Sequence, residues 1–491
     1  MKIDPLKIRP PKPVAILYPG KRTLRCFTVD GEQRASGRRA VEMMLSTLTG
    51  HVCYVESGLN ELTESTGAIS WVCKLWRGKE VRMQHVPTGL SVQSLRGTLE
   101  GSSSPFEDLT RTLRWLRGYG VVPASIPSMA WQLWRASLPR QQVIGFDNGV
   151  GRAALYGGRQ EAKETRNYKD AVSYDIKAAY PVAMASRPYA LSLRPVSSST
   201  YIDPDVPGLA EAWVYVPGDL PYAPLPVRIA PGMIAFQHGS VGGIWPWSEL
   251  AAAKELGCDV LVIRVWAPKM EANLFGGWWP MIAEGRGLEG RSSTLAKAIA
   301  NSTWGQFGMV GEERATRHYS SESGRQFYDV PEDPRTMPHE WTAHIAAETT
   351  ARVRVKLLTE GLYAPGCNPI HVDTDGMILE AGQTPANVGD GPGQWRAKAT
   401  MPDFDLRGPQ MYRWRCGDDC GVSHAEWHYN ASGIPTDDAP AFFAQRRPLS
   451  IDVRHQVAFD ATVPLDELHR MEDLAAIADR ARNAQVWEGV R

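Results

Sequence analysis

Residues 368–380 read Asn-Pro-Ile-His-Val-Asp-Thr-Asp-Gly-Met-Ile-Leu-Glu, and this stretch decides the fold. Apolar residues on both sides of Asp373-Thr374-Asp375 predict two short strands meeting at an acidic turn. An Asp-x-Asp turn alone is most often a solvated loop, but two other segments change its weight. Ala171-Val172-Ser173-Tyr174 is a strand-like run entering Asp175-Ile176-Lys177-Ala178-Ala179-Tyr180-Pro181, a carboxylate at a strand end with an aromatic ring five residues on. Between the two lies Lys297-Ala298-Ile299-Ala300-Asn301-Ser302-Thr303-Trp304-Gly305. On a helix its Lys297, Asn301 and Trp304 fall at i, i+4 and i+7, on one face.

Carboxylates on separate strands can hold two divalent cations about 3.5–4 Å apart, which stabilise the attacking and leaving oxygens of an in-line phosphoryl displacement. Hard oxygen ligands select Mg2+ or Mn2+ over zinc. A lysine on a facing helix neutralises triphosphate oxygens, and an aromatic ring packs on a base or sugar.

Further patterns set this centre in an α+β fold. Helical spacing covers Phe106–Leu116, Thr294–Trp304 and Trp341–Leu358. Trp247–Leu256 reads as a helix with Ser248 as N-cap and Gly257 as stop, followed by a strand over Asp259–Trp266. The 491 residues carry 54 Lys+Arg and 54 Asp+Glu, so net charge points to no nucleic-acid partner. The first fifty residues nevertheless lean basic and read as an exposed arm or a phosphate-contacting surface. Seven cysteines, the absence of a signal-peptide pattern and the lack of a long apolar run suggest a reducing cytoplasm and no membrane.

Taken together, the segments resemble the B-family DNA polymerases. The family's first palm motif (Asp, two variable residues, Ser-Leu-Tyr-Pro) stands here as DIKAAYP, its fingers motif Lys-x-x-x-Asn-Ser-x-Tyr-Gly as KAIANSTWG, and its second palm motif Tyr-x-Asp-Thr-Asp-Ser as HVDTDG. Tyr156-Gly157-Gly158-Arg159 is similar to the linker motif that touches template. Gly408-Pro409-Gln410-Met411-Tyr412 sits where a Lys-x-Tyr grips primer, and Ala431-Ser432-Gly433-Ile434-Pro435 resembles the Lys-Gly-Ile-Pro strand after it. The long gap between Asp175 and Lys297 and the segment 310–338 resemble, in layout, the two insertions of the protein-primed phage and mobile-element branch.

The resemblance implies a right-hand polymerase with palm, fingers, a short thumb and a reduced N-terminal domain. Its bounds are 1–150 for the N-terminal domain, 151–277 for palm with an inserted subdomain, 278–308 for fingers, 309–412 for palm and 413–491 for thumb. It implies metal binding and catalysis by Asp175 and Asp375 with Asp373 beside them, using two Mg2+ or Mn2+ ions. Tyr180 becomes the steric gate against a 2′-hydroxyl, Lys297 the triphosphate contact, Asn301 a support of the nucleotide pocket and Trp304 the ring on the nascent pair. Arg286 and Arg291 are both candidates for a second triphosphate contact. Tyr156, Gly157, Gly158, Arg159, Gln410 and Tyr412 become DNA contacts. The implied partners are primer-template DNA, dNTPs and a priming or processivity protein.

Some residues depart from the pattern. Trp304 replaces tyrosine, His371 and Gly376 replace tyrosine and serine beside the acids, and Gln410 removes the primer-gripping charge. The family's proofreading exonuclease needs an Asp-x-Glu motif and two later carboxylate motifs. Asp30-Gly31-Glu32 is the one candidate for the first, and neither Asn60 nor Asn148 supplies the second. The expectation is therefore a polymerase without proofreading. Cys416, Cys420, His424 and His428 have zinc-ligand chemistry, but only three residues separate the two pairs where zinc fingers place about a dozen, so the segment reads as strand–turn–strand. Alternatives are a self-priming or protein-primed enzyme and an inactive polymerase-like scaffold.

Overall fold

The computed structural model describes residues 13–20, 23–56, 62–76, 79–95, 97–139, 149–163, 165–196, 202–230, 233–308, 314–323, 325–331, 342–416, 426–431 and 439–444. Its first elements are β1 (Val14–Gly20), β2 (Thr23–Thr28), β3 (Gly31–Ser36), α1 (Arg38–Thr47), β4 (Val52–Val55), α2 (Leu62–Thr66), β5 (Trp71–Trp76), β6 (Lys79–His85), β7 (Ser91–Ser94), α3 (Pro105–Gly118) and α4 (Ile126–Ser137). Next come α5 (Val150–Ala153), β8 (Gln160–Ala162), β9 (Asn167–Ile176), α6 (Ala179–Ser186), β10 (Tyr189–Val196), β11 (Leu209–Val216), β12 (Pro226–Ala230), β13 (Met233–Phe236), β14 (Gly239–Pro246), α7 (Trp247–Glu255) and β15 (Asp259–Ala272). The remainder is α8 (Trp278–Arg286), α9 (Ser292–Phe307), β16 (Arg314–Tyr319), β17 (Phe327–Pro331), α10 (Ala343–Lys356), β18 (His371–Asp373), β19 (Gly376–Glu380), β20 (Trp395–Gly408), β21 (Met411–Arg415), β22 (His428–Ala431) and α11 (Ala439–Ala444). The chain divides into two compact units, one formed by residues up to 144 with 274–341, the other by 145–273 with 342 onward. Among the described residues, no helix is long and apolar enough to cross a membrane.

In the first unit the described strands form one sheet in the order β17-β16-β5-β6-β7-β4-β1-β2-β3. The pairs β1–β4 and β4–β7 are parallel and the others antiparallel. Residues 14–36 are therefore not an exposed arm. Leu24, Cys26 and Thr28 alternate inward along β2, and α1 lays Val41, Met44 and Leu45 into the same core. Residues 314–331, within the span expected to be palm, instead extend this sheet: β16 pairs with β5 from Arg314↔Trp76 to His318↔Val72. Beside the sheet, α3 and α4 pack with α9. Trp134 anchors that contact, with its ring 4.9 Å from Phe307 and its indole N–H donated to the Leu274 carbonyl at 3.1 Å.

The second unit holds the acidic turn. Its main sheet runs β22-β21-β20-β9-β19-β18-β8, and a smaller one runs β10-β15-β11-β14. The helix α10 is buried on nearly every side, so its apolar pattern has no single stripe. Its polar side chains are paired internally: Thr349 Oγ1 lies 2.8 Å from the Tyr189 hydroxyl, and Glu348 pairs with Arg352 at 2.9 Å. Ser248 is not the N-cap of α7. Pro246 holds that position, and the Ser248 hydroxyl lies 3.5 Å from Glu348. Gly257, at φ 89°, ends the helix as expected.

His344 sits in the first turn of α10, 3% exposed, with its Nε2–H donated to the Ala190 carbonyl at 2.8 Å. Burial pushes its pKa down to about 4. The unfolded chain binds this proton near pH 6.5, so the neutral ring's contribution is present above that pH and lost as pH falls toward 4. Denaturant titrations should lose up to roughly 3 kcal/mol from this group over that window. His344→Gln, which keeps a donor for Ala190 but does not titrate, should flatten this part of the pH dependence.

Candidate active site

The acidic turn is placed by strand register. The partner of Asp175 near the end of β9 is Gly376 at the start of β19, and Asp373 in turn pairs with Gly376. The link Thr374-Asp375 thus hangs beside Asp175. Thr374 stands at φ 59°, a region that disfavours a β-branched residue. Three bonds hold it there. Its N–H donates to the Arg159 carbonyl at 2.7 Å, its hydroxyl donates to Asp373 at 3.1 Å, and the Asp375 carbonyl accepts the Ile176 N–H at 2.9 Å. A Cβ on Gly158 would lie 2.7 Å from Thr374 Cγ2, so only glycine lets the linker strand approach so closely.

The three carboxylates differ in surroundings. Asp175 pairs with Arg396 Nε at 3.0 Å and Lys398 Nζ at 3.5 Å, both from β20. Asp373 accepts the Gln160 amide at 2.9 Å. Burial pushes the Asp375 pKa up to about 6, helped by the charges of Asp175 and Asp373 and eased by Lys398. Tyr180, half-buried on α6, has its hydroxyl pKa raised by burial and then by the charge of Asp375. The turn entering α6 passes through Ala178 at φ 56°.

The linker motif is mostly interior. Tyr156 is 4% exposed and stacks on Trp245. Arg159 is 3% exposed, forked onto Glu161 at 2.9 and 3.0 Å, and lies 4.2 Å over the Phe236 ring. These side chains are committed to the core and offer DNA no surface, contrary to expectation. Gln410 occupies the β20–β21 turn at φ 55° and accepts the Asn430 amide at 3.2 Å. Tyr412 is half-buried, 5.0 Å from the His371 ring and 5.3 Å from Phe404. His371 is buried, which pushes its pKa down to about 4.

The fingers-like residues belong to the first unit. On α9 the buried stripe includes Leu295, Ile299, Thr303 and Phe307, leaving Lys297 and Asn301 exposed and Trp304 half-buried. Arg286 donates to the Ser293 carbonyl at 2.7 Å. The Arg291 guanidinium lies 3.0 Å from where a Cβ of Gly101 would stand. Asp30-Gly31-Glu32 is a hairpin turn with Gly31 at φ 111°, and Glu32 is tied to Arg25 and Arg34 at 2.7 Å each. Asn60 and Asn148 lie outside the described residues.

Among the described residues, no three His, Cys, Asp or Glu side chains gather into a group that could hold a metal ion unaided. Cys420, His424 and residues 432–435 lie outside the described residues, as does most of the expected thumb. Cys416 is buried and His428 stacks on Trp414 at 5.3 Å.

Sequence reasoning missed the residues that hold the site. Arg354 on α10 forks onto Glu249 on α7 at 2.7 and 2.9 Å, and its other nitrogen donates to the carbonyls of Tyr156 at 2.9 Å and Gly157 at 2.7 Å. In the sequence Glu249 and Arg354 are each one charge among several on their helices, so nothing local singles them out.

Residues 124–333 match the family model described as DNA polymerase type B, organellar and viral, a span that includes Asp175, Tyr180 and Lys297. No curated protein matches the chain. Among solved structures, Phi29 DNA polymerase complexed with primer-template DNA in its post-translocation binary complex is 14% identical at TM-score 0.65, covering 92% of this chain and 96% of that one. Its ternary complex with incoming nucleotide substrates is 12% identical at TM-score 0.63, with 92% and 96% covered. An orthorhombic crystal form of Phi29 DNA polymerase is 13% identical at TM-score 0.60, with 91% and 95% covered. At these identities the likeness establishes a shared fold, the α+β right-hand polymerase architecture. The family match over residues 124–333, which takes in the first palm and fingers motifs, and this shared fold make the chain similar to the type B DNA polymerases of the organellar and viral kind.

Proposed function

We propose that the chain adds dNTPs to a primer 3′ end on a DNA template, with Asp175 and Asp375 as the metal-binding carboxylates. The observation that carries this reading is the β9–β19 register, which sets Asp175 against Gly376 beside a turn where burial first, and then the charges of Asp175 and Asp373, raise the Asp375 pKa to about 6. Buried like charges without full compensation call for a cation. Mg2+ is commonly held by one or two carboxylates plus substrate phosphates, so a pair of acids fits it without a protein cage. Mn2+ suits the same oxygen ligands. Bound ions of this kind stabilise the attacking and leaving oxygens of the displacement. Asp373, engaged by Gln160 and Thr374, holds the turn and adds charge beside the pair.

The remaining roles follow from the resemblance to the B-family motifs, and the exposure of Lys297 and Asn301 is compatible with theirs. Tyr180 stands next to the carboxylates as the barrier to a 2′-hydroxyl. Lys297 and Asn301, exposed on α9, take the triphosphate and shape the nucleotide pocket, with Trp304 packing on the nascent pair. Arg286 and Arg291 remain alternatives for a second triphosphate contact. Template contact at the linker comes from the Gly157–Gly158 backbone, since Tyr156 and Arg159 are buried. Gln410 and Tyr412 lie on the primer side. Residues 1–150 form the N-terminal domain, 151–277 and 309–412 palm, 278–308 fingers and 413–491 thumb, with 314–331 an insertion paired to the N-terminal sheet. A hairpin turn with an ion-paired Glu32 supports a domain without proofreading chemistry.

Primer extension on a primed template with dNTPs and Mg2+ tests the reading. The native protein should extend, and Asp375→Asn should be slower by roughly a thousandfold. Absence of extension by the native protein, or undiminished extension by the variant, overturns it. A labelled mismatched 3′ end should persist during incubation without dNTPs, whereas its steady removal would show proofreading.

Metal removal gives an independent check. A carboxyl whose pKa is raised on folding destabilises the native state once ionised, so the penalty grows as pH rises from about 4 to about 6. In chelator at pH 7, Asp375→Asn should be the more stable protein by up to roughly 3 kcal/mol, and its advantage should vanish near pH 4. Added Mg2+ should raise the melting temperature of the native protein and leave that of the variant almost unchanged.

A further inference from the structure

The helix that carries Lys297, Asn301 and Trp304 begins without a cap of its own. The residue before α9, Arg291, is helical in backbone and makes no side-chain capping bond, and the first turn contains no acid. Free N–H groups at a helix start need acceptors, and the positive end of the helix dipole favours a carboxylate. Both are supplied from another element. Asp108, in the first turn of α3 and 6% exposed, accepts the Arg291 N–H at 3.2 Å on Oδ2, and its Oδ1 lies 3.2 Å from the Ser292 hydroxyl. Its remaining lone pairs take the Ser102 hydroxyl at 2.7 Å and Arg111 Nη1 at 3.0 Å.

The same stretch of α3 grips the turn before the helix. Arg111 Nη1 also donates to the Glu289 carbonyl at 3.1 Å, and Ser292, fully buried, donates to the Asp108 carbonyl at 3.0 Å. Gly290, at φ 61°, passes so near that a Cβ there would lie 2.5 Å from Asp108 Oδ1. One turn of the N-terminal domain therefore holds α9 by its backbone, its first side chain and its preceding loop. A rigid helix held at one end transmits any tilt along its length, and Lys297 and Asn301 stand on the next turns.

We propose that Asp108 is a positioning residue for nucleotide binding: as a cap supplied from α3, it fixes the rotation and inclination of α9 and thereby the placement of Lys297 and Asn301. This rests on the reading of Lys297 as the triphosphate contact. It also gives the N-terminal domain a task in polymerisation that needs no exonuclease carboxylates.

Asp108→Asn is the discriminating substitution. The amide has one acceptor oxygen, and in either flip its NH2 group faces a group that can only donate, Arg111 on one side or the Arg291 N–H on the other. Primer extension with titrated dNTP should show KM raised about tenfold with kcat within about threefold, because placement is lost while the acids stay intact. Primer-template Kd should be unchanged, since no DNA contact is removed. An unchanged KM in the folded variant overturns the proposal. So does a decline of kcat, KM and DNA binding in step with thermal stability, the mark of a merely structural role. Lys297→Ala serves as control. If it leaves KM unaltered, the assignment of Lys297 fails first; if it raises KM while Asp108→Asn does not, only the present inference fails. Should Asp108→Asn show no cooperative melt, Arg111→Leu, which loosens the same grip from its outer side, must raise KM for dNTP by itself or the proposal falls.

Discussion

Glu249 and Arg354 meet as an ion pair with both side chains 2% exposed, and the acidic turn depends on it. Burying two charges costs several kcal/mol each unless the geometry is good and the remaining donors are met. Here the guanidinium is forked onto the carboxylate and its spare nitrogen reaches two carbonyls of the linker. The linker backbone is fixed by this bond. Two residues on, the Arg159 carbonyl fixes Thr374, and Thr374 fixes the spacing of Asp373 and Asp375. The pair thus stabilises a backbone path more than it stabilises two helices. Loss of one partner would leave an uncompensated buried charge next to the linker.

Much of this site is written locally. Asp175 at a strand end, the Asp373-Thr374-Asp375 turn and the helix over Lys297 could be read because periodicity and turn chemistry act over a few residues. The strand spans β9, β18 and β19 and the helices α3, α9 and α10 agree with that reading within a few positions. What escaped was non-local. Nothing in Glu249 or Arg354 announces a partner about a hundred residues away. Arg159 looked like a DNA contact because arginine in a glycine-flanked motif ordinarily is one, and its burial on Glu161 and Phe236 depends on elements far along the chain. The charge of the basic start of the chain suggests an arm or a phosphate-contacting surface, whereas the alternation Leu24, Cys26, Thr28 seats β2 in a sheet. Strands β16 and β17 were assigned to palm by sequence position, whereas hydrogen-bond register with β5 decides their sheet.

Net neutrality also has a local explanation. Asp175, Asp373 and Asp375 form one concentrated acid group, while Arg396 and Lys398 on β20, beside β9, are part of the balancing base. A sum over the chain averages these away, although local charge is what a nucleotide or a phosphate would meet.

The placement of β9 between an acidic neighbour and a basic one has a consequence for the life of the protein before it meets any ion. Asp175 already has a counter-charge in Arg396, so part of the repulsion at this centre is relieved before any cation arrives. On the proposed metal role of Asp175, the same guanidinium would compete with an arriving ion for that carboxylate. On that role, ease of folding and tightness of ion loading would be set against each other by one side chain, at position 396, with no acid changed.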